Sequence, residues 1–303
     1  MAVPEALVAP LLRLTRANRT FSTRAGAQRQ IDQRAVRPKA FGPPRLLRRD
    51  VNVAVTHRDG WPVYTVTPTR VRPAGCLVYA HGGGWVNEIA PQHWQLAAQI
   101  AAEAGTTVIV PIYPLVPFGT AAKVNAGFVA PATQARAEHG VLCLAGDSAG
   151  GQIALSTALS LHDQHGVTAA TTILISPALD LSISNPAVPA VLPTDPWLGL
   201  EGTRHLIDAW RADLPLHDPR VSPLAGDLTG LGPLSVYIGT RDILWPDTRL
   251  LRDRARAAGV AVELQEEEGL VHVYPLLPTR SGRAARERIV ATVRAALNGA
   301  DQR

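Results

Sequence analysis

The period of the apolar positions changes repeatedly along the chain, and the changes outline alternating strands and helices. Val51, Val53 and Val55 alternate with polar residues, Asp59-Gly60 supplies a turn, and Val63-Tyr64-Thr65-Val66 resumes the pattern, which predicts an antiparallel hairpin. Cys76-Leu77-Val78-Tyr79-Ala80 is a continuous apolar run of the kind found in a strand covered on both faces. A helix starting at Pro91 runs through Ala104 and stops at Gly105, and Thr106 to Val110 is another buried strand. Pro111, Pro114 and Pro117 stiffen the following loop, ahead of a helical stretch over Thr120 to Glu138. An apolar run from Val141 then breaks at Gly146, and an Ala- and Leu-rich helix follows Gly151. Strands at Thr171 to Ile175, Leu234 to Gly239 and Val260 to Leu264, with helices at Asp247 to Ala258 and Gly282 to Leu297, complete the series. This order predicts an α/β protein with an open, mostly parallel sheet and helices on both faces.

Two stretches stand outside that rhythm. Residues 1–50 place Leu7, Leu11 and Leu14 at helical spacing and carry 11 Lys or Arg against three acids, so an amphipathic helix followed by an irregular basic segment is expected. Its function is open between a lid over a site, a membrane-surface contact and a solvated helix packed by one face. Residues 176–219 mix Pro, Asp and Trp around one short helix at Glu201 to Trp210, too long for a plain connection and suited to a cap insertion. The chain therefore divides into an N-terminal cap segment, 1–50, and an α/β domain, 51–303, interrupted at about 176–219.

Composition narrows the class. A chain of 303 residues, 46% hydrophobic, can bury one large core. No apolar run is long enough to span a bilayer, and Ala6 to Leu12, preceded by Glu5, makes a poor signal peptide, so a soluble cytoplasmic protein is expected. Cys76 and Cys143 fall inside strands and read as core thiols, unbridged on neighbouring strands. The net charge of +5 is carried almost wholly by arginine, with lysine only at Lys39 and Lys123, and no recognition motif accompanies it, so no nucleic-acid partner is expected. Metal-ligand spacings such as His-Glu-x-x-His or Cys-x-x-Cys are absent from the sequence, and neither a metal nor another cofactor is expected.

The chemistry concentrates at Gly146-Asp147-Ser148-Ala149-Gly150-Gly151, where a strand turns sharply into a helix and presents a serine. Glycines two residues either side of Ser148 let the chain turn without a Cβ clash, as in a nucleophile elbow. A serine hydroxyl needs a base, and the base needs a third group to fix its tautomer. With a nucleophile in this setting the order is serine, acid, histidine: Asp242 lies just past the strand ending at Gly239, and His272 follows the strand at Val260 to Leu264. Asp247 is the rival acid, but its place at a helix start suits an N-cap. The remaining histidines, His93 among them, read as surface residues. His81-Gly82-Gly83-Gly84-Trp85 ends another strand of the same sheet. Gly83 and Gly84, with Ala149, can offer backbone N–H groups to a developing oxyanion, each donor typically worth about 3 kcal/mol. His81 reads as an anchor of this loop. Trp85, Asp195, Trp197 and Tyr274 are candidates for pocket walls.

These motifs, together with Ser176-Pro177 and Asp180, Gly239-Thr240-Arg241-Asp242 with Leu244, and His272-Val273-Tyr274, resemble the hormone-sensitive-lipase-like branch of the α/β-hydrolases, the bacterial carboxylesterases often called family IV. The resemblance runs from about residue 75 to 280. It implies an α/β-hydrolase fold with a mostly parallel eight-stranded sheet and a small helical cap. It also implies a Ser148, Asp242, His272 triad, an oxyanion loop at Gly83 and Gly84, and a cap made from the N-terminus and the insertion. Tyr113-Pro114-Leu115 departs from the family's usual tyrosine-arginine run beside the pocket. The activity expected is hydrolysis of short to medium carboxylic esters through an acyl-enzyme, with a small-molecule ester as partner and a homodimer left open. A lactone hydrolase or deacetylase would use the same triad, and a non-catalytic small-ligand receptor is the alternative from another class.

Overall fold

The computed structural model describes residues 2–300. Three helices precede the sheet: α1 (Glu5–Leu14), α2 (Arg19–Ser22) and α3 (Arg24–Val36). The last falls where an irregular segment was expected. Thr23 caps it by accepting the Gly26 N–H (3.0 Å), and Gly26, Ala27 and Ile31 are its buried residues.

The hairpin is β1 (Val51–Arg58) and β2 (Trp61–Pro68), joined through Asp59 (φ +49°) and Gly60 (φ +81°), both left-handed as a two-residue hairpin turn requires. There follow β3 (Cys76–Ala80), α4 (Pro91–Ala104), β4 (Thr107–Pro111), α5 (Ala121–His139), β5 (Leu142–Asp147), α6 (Ala149–His165) and β6 (Thr171–Ile175). The long connection after β6 holds α7 (Val188–Val191) and α8 (Leu200–Arg211), and β7 (Leu234–Gly239), α9 (Trp245–Ala257), β8 (Val262–Glu267) and α10 (Arg280–Ala300) close the chain. The last strand begins two residues after the apolar run does. Val260 still belongs to the helix-ending turn, its N–H bonded to the Ala255 carbonyl (2.8 Å).

The described residues form one eight-stranded sheet in the order β1-β2-β4-β3-β5-β6-β7-β8, antiparallel at β1/β2 and β2/β4 and parallel elsewhere. The order reverses around β3, which lies between β4 and β5, so the loops leaving β3 and β5 part company at a crevice above their carboxyl ends. Ala80 pairs with Gly146 at the top of that register, which brings the triglycine loop level with the turn after β5.

Two apolar layers sandwich the sheet. Cys76, Val78 and Ala80 belong to the layer containing residues of α5, α6, α8 and α9, whereas Leu77, Tyr79, Cys143 and Ala145 belong to the layer under α4 and α10. Cys76 and Cys143 thus sit on neighbouring strands but face opposite sides of the sheet, and both thiols are free. Burial pushes each thiol up to about 12. Above the first layer, α2 and α3 pack on α8 through close backbone approach: a Cβ on Gly202 would lie 2.5 Å from the Thr20 carbonyl oxygen. Among the described residues, no helix is long and apolar enough to cross a membrane.

Candidate active site

The turn from β5 into α6 holds Ser148 at φ +53°, ψ −120°, a conformation that side-chain-bearing residues adopt only under constraint. Hydrogen bonds supply the constraint. The Ser148 N–H donates to the Ile175 carbonyl (2.8 Å), and its own carbonyl accepts from Ala178 (3.1 Å) and Gln152 (3.2 Å). The flanking glycines are needed because the chain folds onto itself. A Cβ on Gly146 would stand 2.1 Å from the Gly150 oxygen, and one on Gly150 would stand 2.0 Å from the Ala80 oxygen.

His272 comes to this hydroxyl from the loop after β8. Val273 is left-handed (φ +48°), and its N–H donates to Ser176 Oγ (2.9 Å), so the short turn after β6 fixes the histidine loop. His272 Nε2 lies 2.9 Å from Ser148 Oγ, and Nδ1 lies 2.7 Å from Asp242 Oδ2. An ionised carboxylate only accepts, so Nδ1 carries the proton and Nε2 presents a lone pair to the serine. Burial opposes a charge on His272, but the carboxylates of Asp242, Asp195 and Asp147 outweigh it and raise its proton affinity above that of an ordinary histidine. Asp242 itself is fully buried, with the Leu244 N–H donating to its Oδ1 (3.0 Å).

The glycine loop is pinned from beneath by Asp147, which is 2% exposed. Its carboxylate accepts from the Gly82 N–H (2.9 Å), the Tyr79 hydroxyl (2.6 Å) and His93 Nε2 (3.2 Å). His93 Nδ1 accepts the Ala90 N–H (2.9 Å), which leaves the ring proton on Nε2. His93 is therefore a buried support and not the surface residue expected from sequence. Burial alone would raise the Asp147 carboxyl, and these partners hold it below the usual carboxylate value. Further along, the Gly83 carbonyl accepts from the Asn87 backbone (3.0 Å) and side-chain (3.1 Å) N–H groups, and Gly83 and Gly84 sit at φ +127° and +61°. Among the described residues, no protein group accepts from the N–H of Gly83, Gly84 or Ala149. Asp147 was in plain view within the elbow motif, but nothing in its spacing pointed to Gly82.

His81 is wholly buried. It stacks on Tyr113 (ring centroids 4.4 Å apart), whose hydroxyl donates to the His81 carbonyl (2.8 Å). Its Nδ1 lies 2.7 Å from the Gly82 carbonyl and Nε2 has no partner among the described residues; burial lowers its pKa to about 4, so the ring is neutral. Tyr113, which directly precedes the Pro114 that stands where the family usually has arginine, is thus part of the loop's support.

Gly83, Gly84, Ser148 and His272 open onto a cavity of about 290 Å³. Phe21 of α2, Trp197 and Leu198 from the β6–β7 connection, and Leu276 and Leu277 wall it. The Trp197 ring stands edge-on to His272 at 5.9 Å. The other three candidate wall residues lie off the cavity. Trp85 turns inward, stacking on Trp210 and donating to Gln152 Oε1 (3.2 Å). Asp195 spends its carboxylate on three backbone N–H groups, and Tyr274 packs in the layer under α4 and α10. Asp247 lies inside the first turn of α9, whose N-cap is Leu244, so it caps nothing. It accepts from Asn185 Nδ2 (2.8 Å), and burial raises its carboxyl to about 6. Among the described residues, no group of three or more His, Cys, Asp or Glu is placed to hold a metal ion.

The fold and this arrangement define a hydrolase of the α/β class, and the chain belongs to that family: a family model described as alpha/beta hydrolase fold matches residues 77–276. The chain is 35% identical over 246 residues to a triacylglycerol lipase of Mycobacterium tuberculosis, covering 78% of this chain and 50% of the lipase, so it spans half the length of that relative. It is 29% identical over 272 residues to an acetyl-hydrolase of Streptomyces hygroscopicus, covering 86% of this chain and 90% of that protein. Among solved structures, an esterase from the bacterial hormone-sensitive lipase family superposes with a TM-score of 0.82 at 26% identity, covering 98% of this chain and 100% of that one. The chain is an esterase- or lipase-like member of the family.

Proposed function

We propose that the protein hydrolyses short- to medium-chain carboxylic esters through an acyl-enzyme. The observation that carries the reading is the Ser148–His272–Asp242 relay, with steps of 2.9 and 2.7 Å, on a small cavity that Gly83 and Gly84 also line, their N–H groups and that of Ala149 without an acceptor among the described residues. Ser148 Oγ attacks the ester carbonyl as its proton passes to His272 Nε2, and Asp242 steadies the imidazolium. The N–H groups of Gly83, Gly84 and Ala149 receive the oxyanion. Collapse of the tetrahedral intermediate breaks the C–O bond to the alcohol, which leaves with the proton from His272. Water then repeats the sequence against the acyl-serine, releasing the acid and restoring the hydroxyl. Residues 1–50 and the 176–219 insertion act as the cap, a role supported by Phe21, Trp197 and Leu198 on the cavity wall. The similarity to an acetyl-hydrolase over most of both chains favours a deacetylase within the same chemistry. A cytoplasmic setting is supported by two buried free thiols.

The test is hydrolysis of nitrophenyl esters from acetate to palmitate by wild type and Ser148→Ala. Turnover of the shorter esters, reduced by about 10⁴-fold or more in the variant, is expected. A folded wild type inactive on every ester, lactone and acetyl conjugate tried, yet binding a small ligand, would establish the receptor reading instead.

A further inference from the structure

Asp195 is a buried carboxylate to which the mechanism above gives no role. It sits on the β6–β7 connection and is 9% exposed. One oxygen accepts from the N–H groups of Trp197 (2.8 Å) and Leu198 (2.9 Å), an arrangement local enough to be a simple turn. The other oxygen faces away and accepts from the Ile243 N–H (2.9 Å), 48 residues along the chain and adjacent to Asp242. A second tie runs alongside, from Arg241 Nε to the Thr194 carbonyl (3.2 Å). The two residues that Asp195 holds on one side, Trp197 and Leu198, both wall the cavity, and the Trp197 ring packs on His272.

From this geometry we propose that Asp195 is a positioning residue of the hydrolytic site: it locks the Trp197–Leu198 wall to the Asp242 loop and places a second carboxylate behind His272. The proposal rests on the hydrolase reading above. A neutral amide could not do both jobs, because one carboxamide oxygen can satisfy one side only, and its NH₂ would then meet an N–H donor on the other. The charge matters because Asp195, Asp242 and His272 are all buried, where electrostatic interactions are strong. Asp242 from the loop after β7, the Ser148 hydroxyl and the Trp197 ring edge contact His272, and the charges of Asp195 from the β6–β7 connection and Asp147 at the end of β5 also act on it. The groups acting on Asp195 are Asp242, His272 and the three N–H donors. Burial and the charge of Asp242 push the Asp195 carboxyl up to about 6, so above that pH it is ionised and adds to the field that favours the imidazolium.

The experiment is the pH dependence of kcat/KM on nitrophenyl butyrate for wild type, Asp195→Asn and Asp195→Glu, each with its melting temperature. In Asp195→Asn the loss of one nearby negative charge should move the acid limb to lower pH by roughly half to one unit and reduce kcat about tenfold. Asp195→Glu keeps the charge but lengthens the link, so its limb should stay at the wild-type pH while KM rises. A limb that stays fixed in Asp195→Asn while only the melting temperature falls overturns the proposal and makes Asp195 a scaffold residue. Should Asp195→Asn not fold, Asp195→Glu decides alone: a wild-type limb with raised KM supports the coupling, and an unchanged KM overturns it. If wild type itself turns over no ester, the hydrolase reading fails and this one with it, an outcome distinct from an active enzyme with an unmoved limb.

Discussion

At the scale of single residues, the supports of the glycine loop each contribute a pH-dependent part of the stability. His81 is buried as a neutral ring whose pKa is lowered to about 4, so the unfolded chain takes up that proton first as pH falls. The stability His81 contributes is therefore complete above its ordinary value of about 6.5 and drains away down to about 4, a loss of roughly 3 kcal/mol across that window. Asp147 acts lower down. Its carboxyl is held below the usual value, so its contribution is lost only as pH falls below about 4. Asp195 and Asp247, whose buried carboxyls are raised to about 6, gain stability as pH falls and do so in wild type and variant alike, so the His81 effect is read as a difference: in a melting-temperature series from pH 7.5 to 4, wild type should lose its advantage over His81→Asn, which starts less stable. Parallel curves for the two proteins would mean that His81 is not the group titrating. Of the residues that meet around Ser148, the sequence points to the candidate chemical groups but not to their supports. Ser148, Asp242 and His272 are legible because elbow chemistry constrains both their types and their order. His93 is not, since its role depends on Asp147 turning toward β3, which no local spacing encodes.

At the scale of elements, the elbow is legible for the same reason that it tolerates no substitution. Its geometry is written into a few consecutive residues. Ser148 is held at φ +53°, and the first turn of α6 comes so close to β3 that a methyl group on Gly150 would sit 2.0 Å from the Ala80 oxygen. That contact is with backbone, so one of two strands or the helix must move. Gly150→Ala should cost several kcal/mol, in the range of severe overpacking, and remove esterase activity even in the fraction that folds. Wild-type-like melting and turnover would show that α6 has slack here. The contrast is α3, which the apolar pattern concealed. It owes its place to Thr23 and to Gly26 and Ala27, with α2 packed closely on Gly199 and Gly202 of the neighbouring segment, and not to an apolar stripe. Small residues packed backbone to backbone carry no periodic signal, so a helix of Arg and Gln reads as loop.

At the scale of the whole molecule, the alternation of strands and helices made the fold legible, but the cavity is assembled from residues far apart in sequence. Phe21 of α2, Trp197 with Leu198, and Leu276 with Leu277 come from three segments far apart in the chain, and only the closed fold brings them around Ser148. Trp85 and Tyr274 were plausible wall residues by type, yet each satisfies its own core. The consequence is a prediction about substrate length. A space of about 290 Å³ lies at the small end of ligand pockets, which run from about 300 to 1,000 Å³, so esters of acetate to hexanoate should outpace decanoate by tenfold or more. Each methylene that finds apolar contact is worth about 0.8 kcal/mol, or roughly fourfold in kcat/KM, until the wall is reached. Leu198→Ala moves that wall without touching the relay. It should leave acetate turnover nearly unchanged and raise octanoate relative to butyrate by one or two methylene increments, about four- to sixteenfold. A wild-type profile that keeps rising through palmitate, or a variant profile superimposable on wild type, would show that the acyl chain lies elsewhere. The Phe21 side of the cavity would then be the first place to move it.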